Sequence, residues 1–358
     1  MRILVGLSGG VDSAVAAYLL KQQWHDVVGG FMKNYVSETG NCTTYEDAEE
    51  AIKVANFLWI ELLAFDLQKE YQERIIDYIF EWYKRGVTPN PDVLCNSLIK
   101  FDVFLEKALA QWFDKIAMGH YATIEKLKVE SWKWKVDDNE ETVYHLVRGV
   151  DYNKDQTYFL AWLNQFQLSK SIFPLGVLKK EEVRTIAREI ALPNASRKDS
   201  QGLCFIGNVP IKTFLMQRFP KKTGDIKTLD GKVVGQHDGA YFFTIGQKQG
   251  LGLNFKAYVY RIDVENNIVY VWDKDIEELQ TKQIIVKDWH RIAEEYAVWS
   301  QLLGKIRYRQ NPLALSKIID VQDSQITVEF DTPQRAVAPG QVFVLYDGEI
   351  CVWSGIIG

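Results

Sequence analysis

Apolar and polar positions along the first third of the chain alternate between two periods. The continuous apolar run Ile3-Leu4-Val5 predicts a buried strand, and Ala14-Val15-Ala16-Ala17-Tyr18-Leu19-Leu20 behind it predicts a helix. Val27 to Met32 reads as a second strand, Tyr45 to Phe57 as a helix, Leu58 to Phe65 as a strand and Leu67 to Arg85 as a long amphipathic helix. A helix from Ser97 to Trp112 and a strand from Lys115 to Met118 continue the series. This alternation implies an α/β domain with a doubly wound parallel sheet covered by helices. The stretch Glu125 to Val147 breaks the pattern as a polar β-hairpin turning near Asp137-Asp138-Asn139. Helical patterning returns at Tyr158 to Leu163, Lys179 to Ile190 and Pro210 to Arg218. From Gly224 onward, segments such as Tyr258 to Asp263, Ile268 to Asp273, Ser316 to Val321, Ile326 to Phe330 and Val342 to Tyr346 predict all-β structure, with a barrel as its natural closure.

In such a parallel sheet, ligands bind beyond the carboxyl ends of the strands, so the loops at 8–13, 33–44 and 119–121 are expected to line one crevice. The first of them is Gly6-Leu7-Ser8-Gly9-Gly10-Val11-Asp12-Ser13, a glycine-rich turn between strand and helix that offers bare amides and a positive helix end to a phosphate. No Lys follows its glycines, so it lacks the γ-phosphate grip of the common phosphate loop and does not read as an ordinary phosphoryl transferase. Ser8 and Ser13 offer hydroxyls and Asp12 a carboxylate for magnesium on the β- and γ-phosphates, an arrangement suited to pyrophosphate departure. A tight Gly/Ser turn with no ligand is the bland alternative.

The 358 residues suffice for two or three domains. A hydrophobic share of 47% and a charged share of 25% are ordinary for globular proteins. No run reaches the roughly 18 apolar residues of a membrane span, and residues 1–7 read as a strand rather than a leader, so a cytoplasmic protein is expected. A net charge of −5 requires any nucleic-acid contact to come from local basic patches.

The four cysteines, Cys42, Cys95, Cys204 and Cys351, are far apart, which argues against a zinc knuckle and a disulfide framework. Cys95 follows Thr88-Pro89-Asn90-Pro91-Asp92-Val93-Leu94 and precedes Asn96, read as the N-cap of the helix from Ser97; a thiol there feels a helix N-terminus that favours thiolate. Cys204 closes Arg197-Lys198-Asp199-Ser200-Gln201-Gly202-Leu203, with cations nearby. Cys351, within Glu349 to Trp353, reads as a core strand position, and Cys42 stays undecided. A pyrophosphate-releasing loop with two reactive thiols suits replacement of a carbonyl oxygen by sulfur. Hydroxide leaves poorly, whereas an adenylated oxygen departs as AMP, and a second cysteine can resolve a persulfide-bearing one by thiol–disulfide exchange.

Several rarer motifs occur together with these: Thr88-Pro89-Asn90-Pro91-Asp92 with Cys95-Asn96, Gly119-His120-Tyr121-Ala122, Asp155-Gln156-Thr157-Tyr158-Phe159-Leu160 and Lys198 to Gly207. His237-Asp238-Gly239, Thr244-Ile245-Gly246-Gln247, Arg307-Tyr308-Arg309 and Ala338-Pro339-Gly340-Gln341 follow in order. Through nearly its whole length the chain resembles the tRNA-specific 2-thiouridylases, which thiolate C2 of the wobble uridine of certain tRNAs. The resemblance implies an adenine-nucleotide α-hydrolase-like catalytic domain over 1–207, a small central domain over 208–272 and a C-terminal β-barrel over 273–358. It implies that Gly6, Leu7, Ser8, Gly9, Gly10, Val11, Asp12, Ser13, Met32 and Gly119 bind ATP with Mg2+. Cys204 would carry the persulfide, Cys95 would be its catalytic partner, and Asn90, Pro91 and Asp92 would meet the target base, Asp92 by positioning it or assisting proton transfer. His120, Lys154, Asp155, Gln156, Arg307, Tyr308 and Gln341 would touch the tRNA at its anticodon stem-loop, and a sulfur-carrier protein would supply the persulfide sulfur; neither DNA nor membrane is an expected partner.

Bland readings stand beside these. His120 is equally a packing histidine, Asp92 a loop brace, and Lys179, Lys180, Arg184 and Arg188 a solvated helix face, though their spacing gathers cations on one side. Strand alternation accounts for Tyr308 as well as stacking does. An amide synthetase with the same loop has no use for two thiols, and a tRNA-binding protein with a redox pair would release no pyrophosphate.

Overall fold

The computed structural model describes residues 1–35, 44–129, 141–199, 209–272, 280–292, 302–322 and 324–358. The chain enters with β1 (Arg2–Gly6), α1 (Val11–Gln22), β2 (Asp26–Lys33), α2 (Thr44–Leu58), β3 (Leu62–Asp66) and β4 (Lys115–Ala117). The hairpin strands β5 (Ala122–Val129) and β6 (Glu141–Arg148) follow, then β7 (Ser171–Ile172). Strands β3-β2-β1-β4-β7 form the parallel sheet. Ile3 and Val5 pack with α1 and α2 on one face, while Leu4 packs with Phe104 and Ile99 on the other, so the apolar run fills two helical layers at once. The chain lays β2 and β3 on one side of β1 and returns to place β4 on the other. The loops after β1 and β4 therefore flank a topological switch point, where α/β sheets bind ligands.

Most expected elements form within a few residues of their predicted limits. The helix expected at 67–85 runs through Gln68–Tyr71, a π-wound turn at Gln72–Ile76 and Asp77–Lys84. The helix expected from Ser97 starts six residues earlier, at Pro91, and runs through Cys95, Asn96–Val103 and Phe104–Ala110; Trp112 lies beyond its end.

The polar hairpin forms, but it does not belong to the parallel sheet. Its β6 pairs antiparallel with Ile350–Ile357, joining the C-terminal sheet across some two hundred residues of sequence. The expected turn at 137–139 lies outside the described residues. Gln280–Arg291 pairs both with Gln325–Arg335 and with Ile350–Ile357, which closes the C-terminal strands into an antiparallel barrel around Phe330, Phe343, Leu345 and Val352. Between the two, Gly224–Thr228, Val233–His237, Tyr258–Asp263 and Ile268–Trp272 form a separate four-stranded sheet. Among the described residues, no helix is long and apolar enough to cross a membrane.

Candidate active site

The loop after β1 has the conformation its glycines suggest. Gly9 adopts φ +72°, and a Cβ there would stand 2.5 Å from the Asp47 carbonyl oxygen. Gly10 sits in extended backbone and opens α1, so its neighbours' amides point past the helix end. Ser13 Oγ donates to Gly10 O at 3.0 Å, accepts from Ser8 N at 3.2 Å and lies 3.3 Å from Ser8 Oγ. Opposite, Gly119 lies so close that a Cβ would stand 2.8 Å from Ser13 N. A Cβ on Gly6 would stand 2.5 Å from Met118 Sδ and 3.3 Å from Met32 Cε. The structure thus brings together Gly6, Ser8 to Ser13, Met32 and Gly119 at the carboxyl ends of β1, β2 and β4.

An ion network that the sequence pattern only hinted at surrounds this crevice. Lys180 Nζ donates to both oxygens of Asp12 at 2.7 and 2.8 Å and lies 2.8 Å from Asp199. Tyr121 OH also donates to Asp12, at 2.8 Å; burial, reinforced by the Asp12 charge, raises the phenol pKa and keeps it a donor. Asp199 accepts in addition from Lys154 at 2.8 Å and from Arg184 at 2.5 Å. Burial pushes the Asp199 carboxyl up, but the hydrogen bonds and charges of Lys154 and Lys180 outweigh it and hold the group below the ordinary carboxylate range. Arg197 and Asn194 donate to Gly9 O at 3.0 and 2.9 Å, and Arg197 also pairs with Asp47. Lys180 and Arg184, one helical turn apart, therefore face the loop rather than solvent. A lysine does reach the glycine loop, from 168 positions later in sequence.

Cys95 departs from its expected setting. Asn90 caps the helix, its Oδ1 accepting from Val93 N at 3.4 Å with Pro91 at the first helical position, so Cys95 lies in the second turn and not ahead of the helix. Asn96 is a buried helix residue whose Nδ2 donates to Phe159 O at 3.1 Å. Cys95 itself is fully buried. The expected thiol at a helix N-terminus is thus corrected to a covered thiol in the second turn. Cys204 and Cys42 lie outside the described residues, as do 200–206 of the persulfide segment. Cys351 is buried in its strand as expected, its thiol pKa pushed up by burial and the Asp155 charge.

The 87–92 loop is held from three directions. Gln341 Nε2 donates to Thr88 O at 2.9 Å and Pro89 O at 3.2 Å, Thr244 Oγ1 lies 2.9 Å from Thr88 Oγ1, and Asn90 Nδ2 lies 3.5 Å from Tyr158 OH. Pro91 and Asp92 open the helix at this junction. Tyr308 packs its ring 4.3 Å from that of Phe159 and 6.5 Å from that of Tyr158, and Arg307 donates to the carbonyls of Arg335 and Ala336 at its rim. Gln156 accepts from Tyr121 N at 3.0 Å, and Lys154 belongs to the ion network.

Two expected tRNA contacts face inward instead. Asp155 is buried with Arg148 Nε at 3.0 Å and Lys305 Nζ at 3.7 Å and accepts from Thr157 N and Oγ1. His120 is buried between Phe101 and Phe173, and desolvation, helped by Lys100, drives its pKa well below 6.5. The packing reading of His120 is the one the fold adopts. Its stability consequence has a definite sign. Because the folded value is depressed, the contribution is full above pH 6.5 and declines as pH falls below it, where the unfolded chain takes up a proton the folded one refuses. Lowering pH from 7.5 to 5.5 is expected to cost the native chain about 1 kcal/mol more than His120→Phe. Urea midpoints at the two pH values measure this, and equal losses would contradict it.

Lys180, Arg184, Arg197, Asn194, Tyr121 and Asp199 were absent from the sequence-predicted site. The signals were the cation spacing for Lys180 and Arg184 and, for Tyr121, Arg197 and Asp199, places inside the quoted segments; Asn194 carried none.

Comparison with known proteins extends over the whole chain. A family model described as tRNA methyl transferase HUP domain matches residues 1–208, tRNA methyl transferase PRC-barrel domain matches 212–273 and aminomethyltransferase beta-barrel domain matches 281–357. The tRNA-specific 2-thiouridylase MnmA of Pediococcus pentosaceus is 43% identical over 368 residues, covering 99% of this chain and 94% of that protein. Its namesake in Bacillus velezensis is 44% identical over 365 residues, covering 99% and 94%. That of Staphylococcus carnosus is 42% identical over 363 residues, covering 99% and 95%.

Proposed function

The chain belongs to the tRNA-specific 2-thiouridylase family, and we propose that it uses ATP to replace O2 of a tRNA wobble uridine by sulfur. The observation that carries this reading is the switch-point crevice, where Gly9, the Ser8 and Ser13 hydroxyls, Gly119 and Met32 converge on the start of α1. ATP lies there with its adenine toward Met32 and its phosphates on the loop amides. Lys180 is positioned to leave Asp12 for the phosphates. The HUP match and the relatives' names agree with nucleotide activation; the methyl-transfer wording of the family model names a different group, for which this loop chemistry is not needed.

Magnesium fits the donor set: Asp12 is a hard oxygen ligand beside two hydroxyls at the phosphate end of the crevice. Among the described residues, no cluster of three or more His, Cys, Asp or Glu could cage a metal, and Asp12 with Ser8 and Ser13 would hold the ion together with the nucleotide phosphates. Bound there, the ion would screen the phosphates and ease pyrophosphate departure.

Uridine O2 attacks the α-phosphate and pyrophosphate leaves. The terminal sulfur of a Cys204 persulfide, supplied by a sulfur-carrier protein, then attacks C2 and AMP departs with the original oxygen. Cys95 thiolate attacks the Cys204 sulfur of the resulting disulfide. A Cys95–Cys204 bond forms, and the electron pair returns to the sulfur left on C2. Asn90, Pro91 and Asp92 hold the base at the junction, Asp92 by positioning it or assisting proton transfer, while Lys154, Gln156, Arg307, Tyr308 and Gln341 contact the tRNA. Asp155 and His120 stand behind them as supports. The functional units are proposed to break near residues 207 and 272, with the 122–148 hairpin serving the barrel.

Pyrophosphate release tests the reading. It is expected to depend on tRNA bearing a wobble uridine and to stop in Asp12→Ala. Release driven equally by a small amine without tRNA would overturn it in favour of an amide synthetase.

A further inference from the structure

Four asparagines are buried among the described residues, and three of them hold the chain with at least one end of the amide. Asn267 accepts from Ala240 N at 3.0 Å and donates to the carbonyls of Lys222 and Thr223 at 3.0 Å. Asn96 and Asn194 donate to Phe159 O and Gly9 O at 3.1 and 2.9 Å. The fourth, Asn34, is 1% exposed, and neither its Oδ1 nor its Nδ2 has a hydrogen-bond partner among the described residues. A buried carboxamide with both ends unpaired costs stability that an apolar side chain of the same shape does not.

Asn34 lies at the far end of the nucleotide crevice from α1. Strand β2 pairs with β1 as far as Gly30, opposite Gly6, and then runs on with Met32 and Lys33 paired to Phe65 and Asp66 of β3. Its last residues therefore project past the end of β1, beside the start of the Ser8–Ser13 loop. Burial alternates along them: Phe31, Lys33 and Tyr35 are half-buried, whereas Met32 and Asn34 are buried. The Asn34 side chain thus lies on the same side of the strand as that of Met32, about 7 Å further out. On that side the tips of Met32 and Met118 meet over Gly6, where a Cβ would stand 3.3 Å from Met32 Cε and 2.5 Å from Met118 Sδ. Two thioethers make an apolar, polarisable seat for a flat ring. They have no strong donor or acceptor with which to read its edge.

We propose that Asn34 reads the adenine edge of ATP and determines specificity for the base, an assignment that rests on the ATP-dependent reading given above. The 6-amino group of adenine donates to Oδ1, and the ring nitrogen beside it accepts from Nδ2. One planar donor–acceptor pair on the side chain meets its complement on the base, the pairing by which asparagine selects adenine in nucleic acids. The bound base satisfies the amide that the free chain leaves unpaired. A nucleotide lacking the amino group leaves Oδ1 buried and unbonded, so it is rejected.

Calorimetric titration of the full chain, in the presence of magnesium, with ATP and with purine riboside 5′-triphosphate tests this, because the second nucleotide lacks only the 6-amino group. The native chain is expected to bind ATP at least about tenfold more tightly than the analogue. In Asn34→Ala, ATP affinity is expected to fall at least about tenfold and the preference to shrink to within about twofold. Asn34→Leu keeps the size of the side chain and removes the unpaired amide, so without nucleotide it is expected to unfold at an equal or higher temperature than the native chain. Equal native affinity for the two nucleotides would overturn the proposal. So would an Asn34→Ala chain that keeps the native preference or loses only tRNA affinity, or a lower unfolding temperature in Asn34→Leu, the mark of a structural amide. A native chain that binds neither nucleotide would overturn the ATP reading itself, and the assignment of Asn34 with it.

Discussion

Cys95→Ser is expected to lower 2-thiouridine formation by about a thousandfold or more, while ATP binding changes less than about threefold. Serine nearly matches the thiol in size, so the fully buried position in the second turn of the Asn90-capped helix keeps its packing. The hydroxyl, however, cannot attack a disulfide sulfur, and the product stays bonded through sulfur to Cys204. Intact-mass analysis is therefore expected to find a covalent enzyme–tRNA species that a strong thiol reductant cleaves. Cys204→Ser is expected to lose the same activity without trapping tRNA. Quantifying 2-thiouridine by nucleoside mass spectrometry decides the point: turnover within tenfold of native in Cys95→Ser would remove it from the chemistry. Because the thiol is buried at rest, reaction is expected to require an opening of the chain around it, in which the 87–92 loop just ahead of its helix would take part. Gln341→Ala, which frees Thr88 O and Pro89 O from their shared donor, perturbs that step without touching either sulfur.

Asp155→Ala is expected to destabilise the chain by about 3–5 kcal/mol, the usual result of leaving buried cations without their counter-ion. The carboxylate is wholly buried, pairs with Arg148 and Lys305, and also accepts from both donors of Thr157. Arg148 comes from the hairpin and Lys305 from the barrel, so the triad joins two sheets at the foot of the 154–156 segment. Burial lowers the Lys305 pKa while Asp155 raises it, so without the carboxylate the ammonium loses its main stabiliser. Lys305→Met is expected to cost less, because Asp155 keeps Arg148 at 3.0 Å. Guanidinium denaturation measures both, and a loss under about 1 kcal/mol in Asp155→Ala would contradict the account.

Where one local pattern decides an element, the sequence was legible. Tyr258–Asp263 forms at its expected limits because its run of aromatic and β-branched residues favours a strand, and Val27 to Met32 falls inside Asp26–Lys33. The helix carrying Cys95 was misplaced because Asn96 was read as its cap, whereas Asn90, six residues earlier, caps it. Asn90 with Pro91 carried the stronger local signal, and contacts with Tyr158 and Gln341 fix the loop ahead of it. The glycine loop and its crevice could be read because strand, turn and helix are contiguous. The partners of Asp12 could not, since Tyr121 and Lys180 arrive 109 and 168 positions later. Pairing of β6 with Ile350–Ile357 was hidden for the same reason. Inward placement of Asp155 and His120 follows from tertiary burial, which a motif of polar residues does not reveal.

The most direct test of ATP-dependent thiolation is a single-turnover reaction of persulfide-loaded enzyme with unmodified tRNA, followed by nucleoside mass spectrometry and quantification of AMP. The account predicts one 2-thiouridine for each AMP formed, and none when ATP is omitted. AMP without 2-thiouridine, or a methylated uridine in its place, would contradict it.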